Sequence, residues 1–189
     1  MGNHVCPWWH AYLFDNPFRR LLHKPNEIFR PYVATGMTVL DIGCGMGFFS
    51  IGMARLVGTD GLVISVDVQQ EMLDVLRKRA ARAGIGNRIQ THRCTPEDLG
   101  VTTKVDFIIA FWVVHEVPDR MGLFRQLRSL IHASGNFLVV EPKMHVSSES
   151  FQETLELAGA AGWRCSGDTP IRLSMSAILN VAAPLDTDN

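Results

Sequence analysis

Excess charge, paired cysteines and long apolar runs are all scarce in this chain, and each scarcity excludes something. Eighteen Lys and Arg against 19 Asp and Glu leave a net charge of −1. That balance supplies no field to hold a polyanion, so neither nucleic acid nor an anionic membrane is expected as a partner. The longest apolar run, Phe107 to Val114, has eight residues, against the roughly 20 that a membrane-spanning helix needs. It reads as a buried strand. No Lys or Arg precedes Arg19, and Pro7 and His10 interrupt the early apolar stretch, so no signal peptide is expected. Met1-Gly2 lacks the Ser or Thr that myristoylation wants at position six, where Cys6 stands. The four cysteines, Cys6, Cys44, Cys94 and Cys165, form no C-x-x-C, and reduced thiols in a cytoplasm are the expectation. Seven histidines show neither a helical H-x-x-x-H nor Cys/His pairing at ligand spacing, so no metal site is expected.

What is present is ordinary globular composition: 189 residues, 47% hydrophobic and 20% charged, enough for one domain with a real core. Residues 1–36 are crowded with aromatics and prolines and read as an N-terminal helical cap. From residue 37 to 183 the pattern is regular, and 184–189 reads as a flexible tail. Strand-type runs at Thr38–Ile42, Leu62–Val68, Arg88–Arg93, Val105–Phe111 and Asn136–Val140 alternate with helical spacing. The helices expected are Phe48–Val57, Gln69–Ala83, Asp119–His132 and Ser150–Ala161. Trp163–Cys165 and Leu173–Val181 read as closing strands. This alternation predicts an α/β fold: a single doubly wound, mostly parallel seven-stranded sheet with helices on both faces. Ligands of such sheets lie beyond the carboxyl ends of the strands, at the point where the winding reverses.

The informative stretch is Val39-Leu40-Asp41-Ile42-Gly43-Cys44-Gly45-Met46-Gly47-Phe48-Phe49. Glycines at 43, 45 and 47 let a strand turn sharply into a helix while a ligand approaches the backbone. A dinucleotide fingerprint would want a small residue where Phe48 stands. Asp41, two residues before the first glycine, would repel a pyrophosphate and suits a cationic ligand. Asp67 closes the second strand twenty residues after Gly47, where an acid commonly accepts hydrogen bonds from ribose hydroxyls. A ligand with a ribose and a positive charge but no phosphate is S-adenosyl-L-methionine.

From about Thr35 to Asn180 the chain resembles the class I S-adenosylmethionine-dependent methyltransferases, especially their small-molecule branch. Val39 to Gly47 is similar to their first motif, and Asp67 matches their ribose-binding acid. Val105 to Phe111, running into His115-Glu116-Val117-Pro118-Asp119, resembles their fourth-strand segment. Leu130 to Leu138 stands where they have the loop into strand five. The resemblance implies a Rossmann-like methyltransferase fold with Asp41, Gly43, Cys44, Gly45 and Gly47 at the methionine end of the cofactor. Asp67 and Val68 would lie at the ribose, Thr95 and Pro96 beside the adenine, and Phe111 beside the methionine moiety. Two departures are visible. Thr95 occupies the position where the family often has an acid for the adenine amine, leaving Thr95, Glu97 and Asp98 as alternatives. His115-Glu116 replaces a frequent His-His pair.

Methyl transfer from a sulfonium is an in-line displacement that needs alignment and exclusion of water more than a catalytic constellation. If the acceptor is an oxygen or a protonated nitrogen, a base helps by roughly 10²–10⁴-fold. His115, just beyond strand four, is either that base or a cap before the next helix. Glu141 and His145 beyond strand five are further candidates, with Glu141 at the acceptor. No Asn/Asp-Pro-Pro-Tyr/Phe and no Pro-Cys follows strand four, which argues against nucleic-acid base methylation. Trp8, Trp9 and Tyr12 form either an aromatic lid at the acceptor site or a helix on the sheet flank. Cys6 beside them raises a thiol or metalloid acceptor as a lesser option. The expected activity is methyl transfer to a small-molecule acceptor. The alternatives are a nicotinamide-dependent oxidoreductase and a non-catalytic cofactor-binding module.

Overall fold

The computed structural model describes residues 23–182. Cys6, Trp8, Trp9, Tyr12 and the expected tail lie outside the described residues. Seven strands carry the fold: β1 (Thr38–Ile42), β2 (Leu62–Asp67), β3 (Ile89–Arg93), β4 (Val105–Phe111), β5 (Ile131–Pro142), β6 (Trp163–Gly167) and β7 (Ser174–Val181). The helices are α1 (Pro25–Phe29), α2 (Phe48–Leu56), α3 (Gln70–Arg82), α4 (Arg120–Leu130) and α5 (Ser148–Ala160).

The strands form one sheet in the order β3-β2-β1-β4-β5-β7-β6. β1 to β5 pair in parallel, and β7 runs antiparallel between β5 and β6. The winding reverses between β1 and β4, so their carboxyl ends flank the crevice where such sheets bind ligands. The mostly parallel, doubly wound, seven-stranded sheet expected from the sequence is the one observed.

Two-residue periodicity sorts the strand side chains between two cores. Leu40, Ile42, Ile64, Val66, Ile108, Ala110, Phe137 and Val139 pack on one face against Leu123, Phe124 and Leu127 of α4 and Phe151 and Ala158 of α5. Val39, Val63, Phe107, Ile109, Leu138 and Val140 pack on the other, against Phe29 of α1 and Phe49, Met53 and Ala54 of α2. The same alternation puts Asp41 and Asp67 on the α1/α2 face and Glu141 on the α4/α5 face.

One boundary differs materially from the sequence reading. The helix expected to reach His132 stops at Leu130, and Ile131 is extended at φ −80°, ψ 145°. Ile131 pairs with Val105, whereas Asn136 pairs with Phe107. Residues 132–135 therefore bulge from the ladder. The β-branched Ile131 completes the apolar spacing of the helix, yet it is buried as a strand residue. Asp119 caps α4, its Oδ1 accepting from the Gly122 amide at 2.8 Å. Among the described residues no helix is long and apolar enough to cross a membrane.

Candidate functional site

β1 ends in the glycine loop, and the three glycines have different reasons to be there. All have positive φ: +63° at Gly43, +52° at Gly45 and +81° at Gly47, where L side chains are strained. A Cβ on Gly43 would lie 2.6 Å from Val113, and one on Gly47 would run into Leu76 of α3. Those two glycines let the loop pass close to its neighbours. A Cβ on Gly45 would meet nothing within 4 Å. The space at the middle of the loop is open.

Asp67 ties that loop to the end of β2. Its Oδ2 accepts from the Gly45 amide and its Oδ1 from the Gln69 amide, both at 2.9 Å. Burial pushes its carboxyl above the usual range, and the backbone donors at Gln69, Gly45 and Val68 pull against that. A carboxylate oxygen that accepts one bond keeps a lone pair for another. Val68, half-buried, continues from it, and its carbonyl accepts from Arg93 Nε at 3.3 Å.

Asp41 lies deeper, 2% exposed, and accepts from Ser50 Oγ at 2.5 Å. Ser50 sits on the first turn of α2, nine residues after Asp41, so this bond locks the loop between its flanking elements. Cys44 is buried against Leu73 and Leu76. Burial, then the charges of Asp41 and Asp67, push its thiol well up, so it remains a neutral packing group. Thr95 and Pro96 are exposed after β3. The Thr95 hydroxyl accepts from the Asp98 amide at 3.0 Å, which closes their turn.

At the end of β4 Phe111 is buried, 4.2 Å ring to ring from Phe49 and 5.4 Å from Trp112. Trp112 has φ +62°, unusual for a bulky residue and a form of strain that concentrates at functional sites. It is held there by its amide bond to the Val140 carbonyl at 2.7 Å and its indole bond to Ser174 Oγ at 3.0 Å. His23 sits edge-on to Phe111 and Trp112 at 5.2 and 5.3 Å. Sequence reading singled out neither His23 nor Ser50. The signal available for Ser50 was a polar residue at the start of an otherwise apolar helix.

The fold brings His115 and Glu141 together. Glu141 directly follows Val140, the pairing partner of Phe111, and it faces the side on which the β4–α4 loop leaves. Its Oε2 lies 2.5 Å from His115 Nδ1, and its Oε1 accepts from the His115 amide at 3.1 Å. The Glu141 side chain is 1% exposed and that of His115 25%. Burial pulls the imidazole pKa down, but the hydrogen bond and charge of Glu141, with Glu116, outweigh it and Arg120, so the net shift is upward. Glu116 on the same turn is itself pushed up, chiefly by desolvation. His145 is exposed, and its amide donates to the Pro142 carbonyl at 3.1 Å. No group of three metal-ligating side chains occurs among the described residues.

Comparison with known proteins gives the family of the chain. A family model described as a methyltransferase domain matches residues 34–169. The chain is 30% identical over 139 residues to a ubiquinone biosynthesis O-methyltransferase of Xanthomonas euvesicatoria, covering 70% of this chain and 54% of that protein. It is 34% identical over 110 residues to the ubiquinone/menaquinone biosynthesis C-methyltransferase UbiE of Cellvibrio japonicus, covering 58% and 44%. A crystal structure of a SAM-dependent methyltransferase from Aquifex aeolicus superposes with a TM-score of 0.85 at 20% identity, covering 94% of this chain and all of that one. The chain belongs to the methyltransferase-domain family and has the fold of the class I S-adenosylmethionine-dependent methyltransferases. It spans about half the length of the curated relatives it matches.

S-adenosylmethionine, the cofactor this family implies, fits the residues present. The space beside Gly45 admits a ligand against the backbone, and Asp67 at the lip of β2 keeps acceptor capacity. Buried Asp41 beneath the loop favours a cation over a phosphate.

Proposed function

We propose that this protein transfers a methyl group from S-adenosylmethionine to a small-molecule acceptor. When bound, the cofactor supplies a methyl carbon on a cationic sulfur that departs as a neutral thioether. Asp67 and Val68 hold the ribose, and the backbone of Gly43, Cys44, Gly45 and Gly47 cradles the methionine end above Asp41. Phe111 walls that end, and Thr95 and Pro96 flank the adenine. His115 and Glu141 mark the acceptor side, beyond β4 and β5. The observation that carries the reading is the bond from the Gly45 amide to Asp67, which makes the open loop and the ribose acid one rigid unit at the winding reversal. The neutral charge balance and the printed functions of the two curated relatives favour a small acceptor over a polyanion.

Calorimetric titration with S-adenosylmethionine, S-adenosylhomocysteine, NADH and a structured RNA tests this directly. Micromolar binding of the first two, with neither NADH nor RNA bound, is the expected result. NADH binding without the sulfonium would put an oxidoreductase in its place. Tight, salt-dependent RNA binding would overturn the small-molecule reading.

A further inference from the structure

We propose that Glu141 is a positioning residue that holds His115 as the proton acceptor for a weakly acidic hydroxyl, a phenol or an enol. The inference rests on the methyltransferase reading above. Both Glu141 oxygens are spent on one residue: Oε1 takes the His115 amide at 3.1 Å and Oε2 the ring nitrogen Nδ1 at 2.5 Å. A carboxylate can only accept, so Nδ1 carries the hydrogen and the neutral ring presents Nε2 as its basic nitrogen. Among the described residues nothing hydrogen-bonds Nε2, and the side chain is a quarter exposed while Glu141 is sealed away. A cap needs only the backbone bond. Locking the ring as well is what a base requires.

The charged groups acting on His115 among the described residues are Glu141 from β5, Glu116 from its own turn and Arg120 from α4. Burial opposes the protonated ring, and the bond and charge of Glu141 with the charge of Glu116 more than offset burial and Arg120. The basicity of an imidazole, whose ordinary pKa is ~6.5, limits which acceptors it can deprotonate. A phenol, with a pKa near ~10, lies within a few units of such a base, whereas an aliphatic hydroxyl near that of water, ~15.7, lies far above it. A thiol, with a pKa near ~8.5, needs less help than a phenol, and an amine that is already neutral has its lone pair free. In the proposed step the O–H bond breaks with its proton going to Nε2 and its electron pair staying on oxygen. That oxygen forms the bond to the methyl carbon, sulfur keeps the pair of the broken carbon–sulfur bond, and the imidazolium later returns its proton to water.

The test uses the full chain, first with S-adenosylhomocysteine and then with S-adenosylmethionine. S-adenosylhomocysteine affinity is measured by calorimetry in wild type, His115→Ala, Glu141→Gln and Glu141→Asp. Absence of binding in wild type would sink the methyltransferase reading itself, and this inference with it. Given binding, the imidazole of His115 is titrated by NMR in the S-adenosylhomocysteine complex. Its pKa should fall in Glu141→Gln and recover part of the way in Glu141→Asp. S-adenosylhomocysteine release is then followed with a panel of catechols and substituted phenols. Wild type should turn over at least one phenol, and His115→Ala should lose roughly 10²–10⁴-fold in kcat. In Glu141→Gln the alkaline-rising limb of kcat should move to lower pH, whereas a merely structural role would lower kcat at every pH without moving the limb. Intact cofactor binding with no phenol turned over would overturn the acceptor class. An unmoved limb, or full activity in His115→Ala, would overturn the role given to the pair.

Discussion

Replacing Asp67 with Asn perturbs the contact on which the cofactor reading stands. The carboxylate takes two amide donors at 2.9 Å, Gly45 through Oδ2 and Gln69 through Oδ1. Asn keeps the shape but has one acceptor oxygen, so one amide meets an NH₂ group. A hydrogen bond to a charged group contributes about 1.5–3 kcal/mol. If Gly45 is released, the loop loses its tether to β2, and under the proposed function a ribose hydroxyl loses its ionic acceptor. At 1.4 kcal/mol per tenfold, S-adenosylhomocysteine should bind about 10–100-fold more weakly. Global stability should change less, because the raised carboxyl pKa marks an ion already opposed by burial, and removing the charge removes that opposition. Calorimetric affinity and urea unfolding together separate the two effects. Unchanged affinity in a folded variant would refute the placement of Asp67 in the site. A stability loss that fully accounts for the affinity loss would reduce it to a structural tie.

Other expectations follow from the same geometry. Gly47→Ala puts a methyl group into Leu76 at a positive φ and should cost about 2–4 kcal/mol by urea denaturation, combining backbone strain with overpacking. Ser50→Ala removes the hydroxyl that donates to buried Asp41 and should cost about 1.5–3 kcal/mol; a neutral result would mean that bond does not hold the loop. Because His115 is raised in the folded state, the stability it contributes is complete below its unfolded pKa of ~6.5 and is lost as pH rises through the higher folded value. Glu141→Gln should flatten that dependence in urea titrations run across this window. The Cys94 thiol is pushed up to about 11 by burial and by the charge of Asp67, so at neutral pH it should carry roughly 10²–10³-fold less thiolate than a free cysteine. A thiol-reactive disulfide reagent should modify exposed Cys165 well before Cys94 and buried Cys44.

Composition and periodicity carried most of the fold. Alternating strand and helix spacing identified all seven strands, although the apolar run Phe107 to Val114 overruns β4, which ends at Phe111. The glycine loop and Asp67 were legible because sharp turns and strand-end acids are local features whose chemistry is written in consecutive residues. The end of α4 was not legible. Ile131 satisfies the helical spacing of its neighbours, and only its pairing with Val105 makes it a strand residue.

What the chain determined by itself is therefore local: which segments turn, which faces are apolar, and that an acid stands at each of two strand ends. What tertiary structure decided is which of these meet. His115 and Glu141 are 26 residues apart and were legible only as separate candidates. Parallel pairing of β4 with β5 aligns their carboxyl ends, and the two-residue alternation turns Glu141 to the side where the β4–α4 loop departs. Asp41, legible as an acid suited to a cation, proved to be clasped by Ser50 beneath the loop. Gly45 proved to be tethered to Asp67 from the next strand. Such pairings depend on strand register and on the packing of α2, long-range properties that no window of consecutive residues contains.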